Sequence, residues 1–276
     1  MLSLHTNNAA LSAQNSIGRT QHSLSTSMSR LSTGYRINSA MDDAAGLQIA
    51  TRLKAQTSGM AVAMRNTQNS TSMLQTAEGA LDEVTNMLVR MKDLATQAAD
   101  TSSSAADKTA MQAEYDALGL ELNNSLKNTT FGGKALLVGA GSTLGGAAMV
   151  FQIGASASET MTVDMSTAVT GPIAKMEAKI LAATSKYVAV PPAAAGTELT
   201  ATANAMITNL SDAISAVSDV RSTLGATANR LDHVYNNLAN ISTNTKAATG
   251  RIMDVDFATE SSNMTAKQML MQASTA

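Results

Sequence analysis

Cysteine and tryptophan are both absent from the 276 residues. Without cysteine the chain has no disulfide and no thiolate metal site, which fits cytosolic synthesis and is compatible with later export. Aromatic residues make up 3% and charged residues 14%, against a usual charged share of about a quarter. So few rings argue against one thick globular core. So few charges argue against a surface meant to stay in water, and part of it is expected to be covered by other copies. The formal net charge of -2 comes with no block of like charge, which leaves no case for nucleic acid or an anionic membrane, since both call for a basic patch. No run of about 18 apolar residues exists to insert into a membrane. The opening MLSLHTNNAALSAQN lacks the basic segment and apolar run of a secretory signal, so export would use a route that cleaves no standard signal. Proline is confined to Pro172, Pro191 and Pro192, which leaves 1–171 and 193–276 free of the residue that stops a helix.

What is present is a long helical seam. Met60, Met64, Thr67, Thr71, Leu74, Ala77, Leu81, Val84, Leu88, Met91, Ala95 and Ala98 follow one another at steps of three and four, the period of a stripe packed against another helix. As one helix, 60–98 would be roughly 58 Å long, too long to bury its own stripe. The best partner lies near the other end of the chain. Ile207, Leu210, Ile214, Val217, Arg221, Leu224, Ala228, Leu231, Tyr235 and Leu238 keep the same alternation, with Arg221 the one polar intruder. The two halves are therefore expected to return to each other as a long antiparallel bundle or coiled coil, mainly α, with everything between them an excursion.

Residues 3–33 carry a thin apolar stripe (Leu4, Leu11, Ile17, Leu24, Met28, Leu31) ended by Gly34; such a helix depends on lateral packing. Asp107 opens another helix, with Met111, Tyr115, Leu118 and Leu122 on one face and Asp116 and Glu121 off it, running back along the seam across the turn at 100–106. Gly132-Gly133 in NTTFGGKALL marks a turn. VFQIG and ETMTVDM alternate with period two (Met161, Val163, Met165), so a small β-hairpin patch is expected there. The proline-bearing 166–200 reads as a short insert or surface excursion.

Candidates for chemistry are few. Asp42 and Asp43 are adjacent and point about 100° apart on a helix, so they suit the N-terminus of a helix beginning near Ala44 better than paired acid-base work. His5, His22 and His233 have no metal-ligand spacing. GAGSTLGG at 139–146 departs from a phosphate loop and reads as a flexible turn. Asn69 and Asn128 open formal glycosylation sequons of little weight in such a chain. The 18 methionines suit imperfect helix contacts. No enzyme, metal or cofactor is expected.

The segment RLSTGYRINSAMDDAAGLQIATRL, from Arg30, closely resembles the N-terminal segment of bacterial flagellins, the subunits of the flagellar filament. AEGALDEV and LATQAAD resemble the helix that follows, NTTFGGKALL and FQIGA its β patch, and LGATANRLDHVYNNL with RIMDVDFATESSNMTAKQMLMQASTA the returning C-terminal portion. The match covers roughly 1–165 and 200–276. It implies inner terminal helices over 1–42 plus 251–276, with the C-terminal part truncated because flagellins usually continue past QASTA. It further implies a helical rod with β patch over 43–165 plus 201–250, and a short variable insert over 166–200. The zinc-peptidase insert of a few flagellins is not visible.

The implied function is a secreted structural subunit that self-assembles into the motility filament. Leu4, Leu11, Leu24, Leu31, Ile252, Phe257, Met264 and Leu270 are the expected polymer contacts. Implied partners are further copies, a secretion chaperone with the type III export apparatus, and the filament cap and hook-associated proteins. Toll-like receptor five is implied too, through Arg90, Leu94 and Glu114, although Val89 stands where receptor-active flagellins usually have Gln. The alternatives are a hook-filament junction protein and, from another class, a secreted helical binding module that uses the seam as a helix-in-groove ligand.

Overall fold

A computed structural model describes residues 7–139, 141–165, 171–187 and 195–275. The chain divides into two compact units, Met1–Ala61 with Ala239–Ala276 and Val62–Leu238. Two long helices, α2 (Ala44–Ala99) and α6 (Ala203–Met253), contribute to both.

In the first unit, α1 (Asn8–Thr33) begins where Asn7 Oδ1 accepts from the amides of Ala9 and Ala10 at 3.1 and 3.2 Å, satisfying donors that the first helical turn leaves free. It ends at Gly34, whose φ of 75° closes the helix as glycine does best. The expected stop is therefore at the expected residue. α1 packs on α7 (Phe257–Thr275), so the two chain ends are paired.

In the second unit the seam residues of α2 and their counterparts on α6 feed one hydrophobic core, with Leu74, Leu81, Leu88, Leu210, Val217 and Leu231 all closed to solvent. Arg221, the polar intruder, reaches Asp82 of α2 at 3.0 Å. α3 (Ala105–Asn128) opens with a capping box in which Ser104 and Asp107 bond reciprocally, so Asp107 sits in the first turn and Ser104 is the cap.

Four short strands then form two antiparallel pairs. β1 (Thr130–Phe131) and β2 (Lys134–Ala135) turn through Gly132 and Gly133 at φ 59° and 81°. This is a backbone that only glycine takes up without strain at both positions. β3 (Met149–Gln152) and β4 (Thr160–Val163) bury Met149, Phe151, Met161 and Val163, while Val150 and Thr162 face out. The alternation read from the sequence is the one observed.

Two expectations are corrected here. The described part of 166–200 is not a surface excursion: α4 (Pro172–Ala183) buries Ile173, Met176, Ile180 and Ala183 in the core. Pro172 lies at the start of that helix, where its missing N–H costs nothing. Pro191 and Pro192 lie outside the described residues. Asp116, read as an off-face carboxylate, is buried and bonded to the segment leading into α5 (Glu198–Ala201).

Candidate functional site

The paired ends are built from few apolar residues and one polar lattice. Leu24 and Ser27 of α1 are buried, and Ser27 Oγ accepts from Lys267 Nζ of α7 at 3.1 Å. Arg30 lies 3.8 Å from Asp42 and 4.0 Å from the buried carboxylate of Glu260.

Just beyond, the chain ends are tied by main-chain bonds. The amide of Arg36 donates to Met253 O at 2.6 Å, that of Val255 to Gly34 O at 3.0 Å, and the Arg36 guanidinium to Ile252 O at 2.8 Å. α1 and α2 are thus separated at the level where α6 and α7 are separated.

The expected polymer contacts fall into three groups. Leu11, Phe257 and Leu270 stand in solvent at 51, 56 and 61% exposure. Leu31, Ile252 and Met264 are half-buried. Leu24 is buried within the chain itself, so its cover needs no neighbour, and Leu4 lies outside the described residues. Sequence reasoning passed over Met41 and Met269 as surface groups, although Met41 is 95% exposed. The available signal was an apolar residue inside the polar run NSAMDD, off any stripe.

The adjacent carboxylates divide their labour. Asp43 Oδ1 accepts from the amide of Gly46 at 2.9 Å and caps α2 as expected. Asp42 instead binds the loop before it, accepting from the amides of Asn38 and Ser39 at 3.0 and 2.9 Å. Hydrogen bonds from Ser39 and then Asn38 hold its carboxyl below the ordinary aspartate value.

The first unit also carries a groove of about 580 Å³ between α2 and α6, walled by Tyr35, Leu47, Ala50 and Met253, with Lys54, Lys246 and Asp254 also lining it.

In the second unit, Arg90 Nε and Nη2 both donate to Glu114 Oε1, at 2.8 and 2.6 Å, joining α2 to α3 on an exposed face. Val89 is exposed beside them. Leu94 is 2% exposed and packs into the core, so of the three expected receptor residues Arg90 and Glu114 present surface and Leu94 does not. His22 and His233 are exposed, and His5 lies outside the described residues. Among the described residues no group of three or more His, Asp or Glu gathers to hold a metal, and no helix is long and apolar enough to cross a membrane.

Paired terminal helices that leave apolar side chains in solvent, together with a helical core and a β patch, define a class of helical structural proteins. The pattern of the bacterial flagellin N-terminal helical region matches residues 4–142, and that of the bacterial flagellin C-terminal helical region matches 207–276. Flagellin A of Vibrio anguillarum is 34% identical over 99% of this chain and 95% of its own. Polar flagellin F of Vibrio parahaemolyticus is likewise 34% identical, over the same shares. A solved Vibrio parahaemolyticus chain bearing the name flagellar hook-associated protein shares the fold, with a TM-score of 0.58 and 18% identity over 77% of this chain and 100% of that one. The chain belongs to the bacterial flagellin family and is a structural subunit of the flagellar filament.

Proposed function

We propose that this subunit enters the filament by coupled folding and assembly. Residues 1–42 and 251–276 gain lasting order when neighbouring copies cover Leu4, Leu11, Leu31, Ile252, Phe257, Met264 and Leu270, next to the internally closed Leu24. The observation that carries this is the outward position of Leu11, Phe257 and Leu270 on helices of low charge. Residues 43–165 with 201–250 supply the helical rod with its β patch, and 166–200 a short variable insert. Negative-stain microscopy with filament seeds tests the reading: growth is expected from the native chain, and a Leu11→Ser, Leu270→Ser double variant should grow far more slowly. Equal growth of the two would refute it. Assembly that stops at a ring would favour a hook-filament junction protein. Identity of about a third to filament flagellins over almost the whole chain favours the filament.

The same reading takes the chain out of the cell through the flagellar type III apparatus. A chaperone holds the segment 251–276, a cap sits at the growing tip and hook-associated proteins at the base. Its support is family membership. Recognition by Toll-like receptor five would fall on the face carrying Val89, Arg90 and Glu114, where Val89 presents an apolar side chain in place of an amide. Val89→Gln is expected to strengthen signalling in a reporter-cell assay. No gain over the native chain would count against this face.

A further inference from the structure

We propose that the loop between α1 and α2 presents Met41 as a knob that seats in the α2–α6 groove of a second copy, steered by Lys54 and Lys246. The inference rests on the polymer reading and names one of its contacts.

The loop is held before any partner arrives. Asp42 Oδ2 accepts from the Asn38 and Ser39 amides and from Ser39 Oγ at 3.2 Å. The Asp42 amide returns a bond to Ser39 O at 3.1 Å. Asn38 Nδ2 donates to Tyr35 O at 3.1 Å, and Thr33 Oγ1 to Asn38 Oδ1 at 2.8 Å. Within this braced loop Met41 projects almost wholly into solvent. A thioether chain in that position gains nothing from its own molecule, and its flexibility suits an irregular cavity. Because the loop is already ordered, seating it costs little conformational entropy.

The groove offers what the knob lacks. Tyr35, Leu47, Ala50 and Met253 give it apolar walls, and Met41 is not among its own chain's lining residues. Lys54 and Lys246 are exposed, and two ammonium groups against the single carboxylate of Asp254 leave it net positive. Met41 is followed directly by Asp42 and Asp43. Arg36 of the same loop is turned to Ile252 O and Arg30 lies 3.8 Å from Asp42. Among the described residues, the carboxylate beside the knob that faces no cation of its own chain is therefore that of Asp43, and it carries the complementary sign. Knob and groove are different patches of one molecule. Where each copy gives its knob to one neighbour and its groove to another, the contact is heterologous, and such contacts propagate into rings or open helical filaments, whereas a reciprocal exchange would close at a dimer.

The absence of native cysteine makes the test clean. A Met41→Cys, Ser58→Cys double variant places one thiol on the knob and one in the groove. Grown on native seeds and treated with a short bis-maleimide, it is expected to give a ladder of dimers, trimers and higher species, whereas either single variant, whose thiol faces no thiol across the contact, is expected to stay monomeric. In parallel, Met41→Leu should keep growth within about twofold of native, and Met41→Asp should slow it roughly tenfold or more, the size of effect seen when an interface anchor is lost. A double variant that grows without a ladder overturns the inference while the polymer reading stands, and so does equal growth of the Leu and Asp variants. Failure of the native chain to grow on seeds would bring down the polymer reading and this contact together.

Discussion

Gly46, in the first turn of α2, shows how one missing methyl can matter. A Cβ there would lie 2.8 Å from Ile37 Cδ1 and closer still to the Asp43 carboxylate that caps the helix. Alanine would gain about 1 kcal/mol of helix propensity. Crowding the buried Ile37 and displacing the cap cost about 1 to 3 and about 1 kcal/mol, so Gly46→Ala is expected to destabilise the chain by roughly 1 to 3 kcal/mol. A thermal melt read by circular dichroism checks it, and an unchanged or raised midpoint would contradict it. Asp42 makes a pH prediction. Its folded pKa is depressed by the Ser39 and Asn38 bonds. The order it gives the loop is therefore complete above the unfolded aspartate value and is lost as pH falls through the lower folded one. An NMR titration should place the Asp42 midpoint below that of a model aspartate, with the Asn38 and Ser39 amides following it. That the pair suited a helix start was legible from its adjacency. That only Asp43 caps was not, because the backward bonds of Asp42 depend on how the 35–41 loop turns.

At the level of elements, the seams could be read because burial imposes a period on the sequence, and every seam position of α2 from Met60 to Ala98 is buried or half-buried. α4 could not, since Pro172 has the same letter whether it stops a helix or starts one. Nor could the burial of Asp116, which depends on Gly196 and Lys186, both distant in sequence. Gln112 Nε2 donates to Asp116 Oδ1 at 2.8 Å and to Glu198 Oε2 at 2.9 Å, while its Oε1 accepts from the Leu199 amide at 2.7 Å. Asp116 also takes the Gly196 amide at 2.7 Å and lies 3.6 Å from the buried Lys186 ammonium. Gln112→Leu keeps the volume, removes one bond each from Asp116 and Glu198 and takes its partner from the buried Leu199 amide, so a loss of roughly 2 to 4 kcal/mol is expected. Faster proteolysis within 184–199 should accompany it; unchanged cleavage would show that the network does not hold the segment. Burial opposes ionisation of Glu198, yet bonds from Ser185 and Gln112 outweigh it and lower its pKa. Its contribution is thus present above the ordinary glutamate value and fades as pH drops below it. Removing Gln112 should move the onset of acid unfolding to higher pH.

For the whole molecule, the contrast between units is one of buried apolar content. Among the described residues of the first unit, Leu24, Ile37, Ala50 and Met60 are the buried hydrophobic side chains, whereas the second holds the continuous core from Leu74 to Leu231. Hydrogen exchange on the isolated subunit is therefore expected to be at least roughly a hundredfold faster in α1 and α7 than in 74–98 of α2. Uniform protection along the chain would refute coupled folding and assembly.

The long helices also carry many hydroxyls, and these do not wait for a partner. Thr57, Ser70, Thr71, Thr76, Thr85 and Thr96 of α2, like Ser211, Ser215, Ser218 and Thr223 of α6, each donate to the carbonyl four residues back. A hydroxyl held in this way is polar by composition yet already quenched, and where it reaches the surface it can be dehydrated against a sibling molecule without stranding a donor. Cohesion of that kind draws little on ions, so a lattice that uses such side chains should tolerate wide swings in salinity.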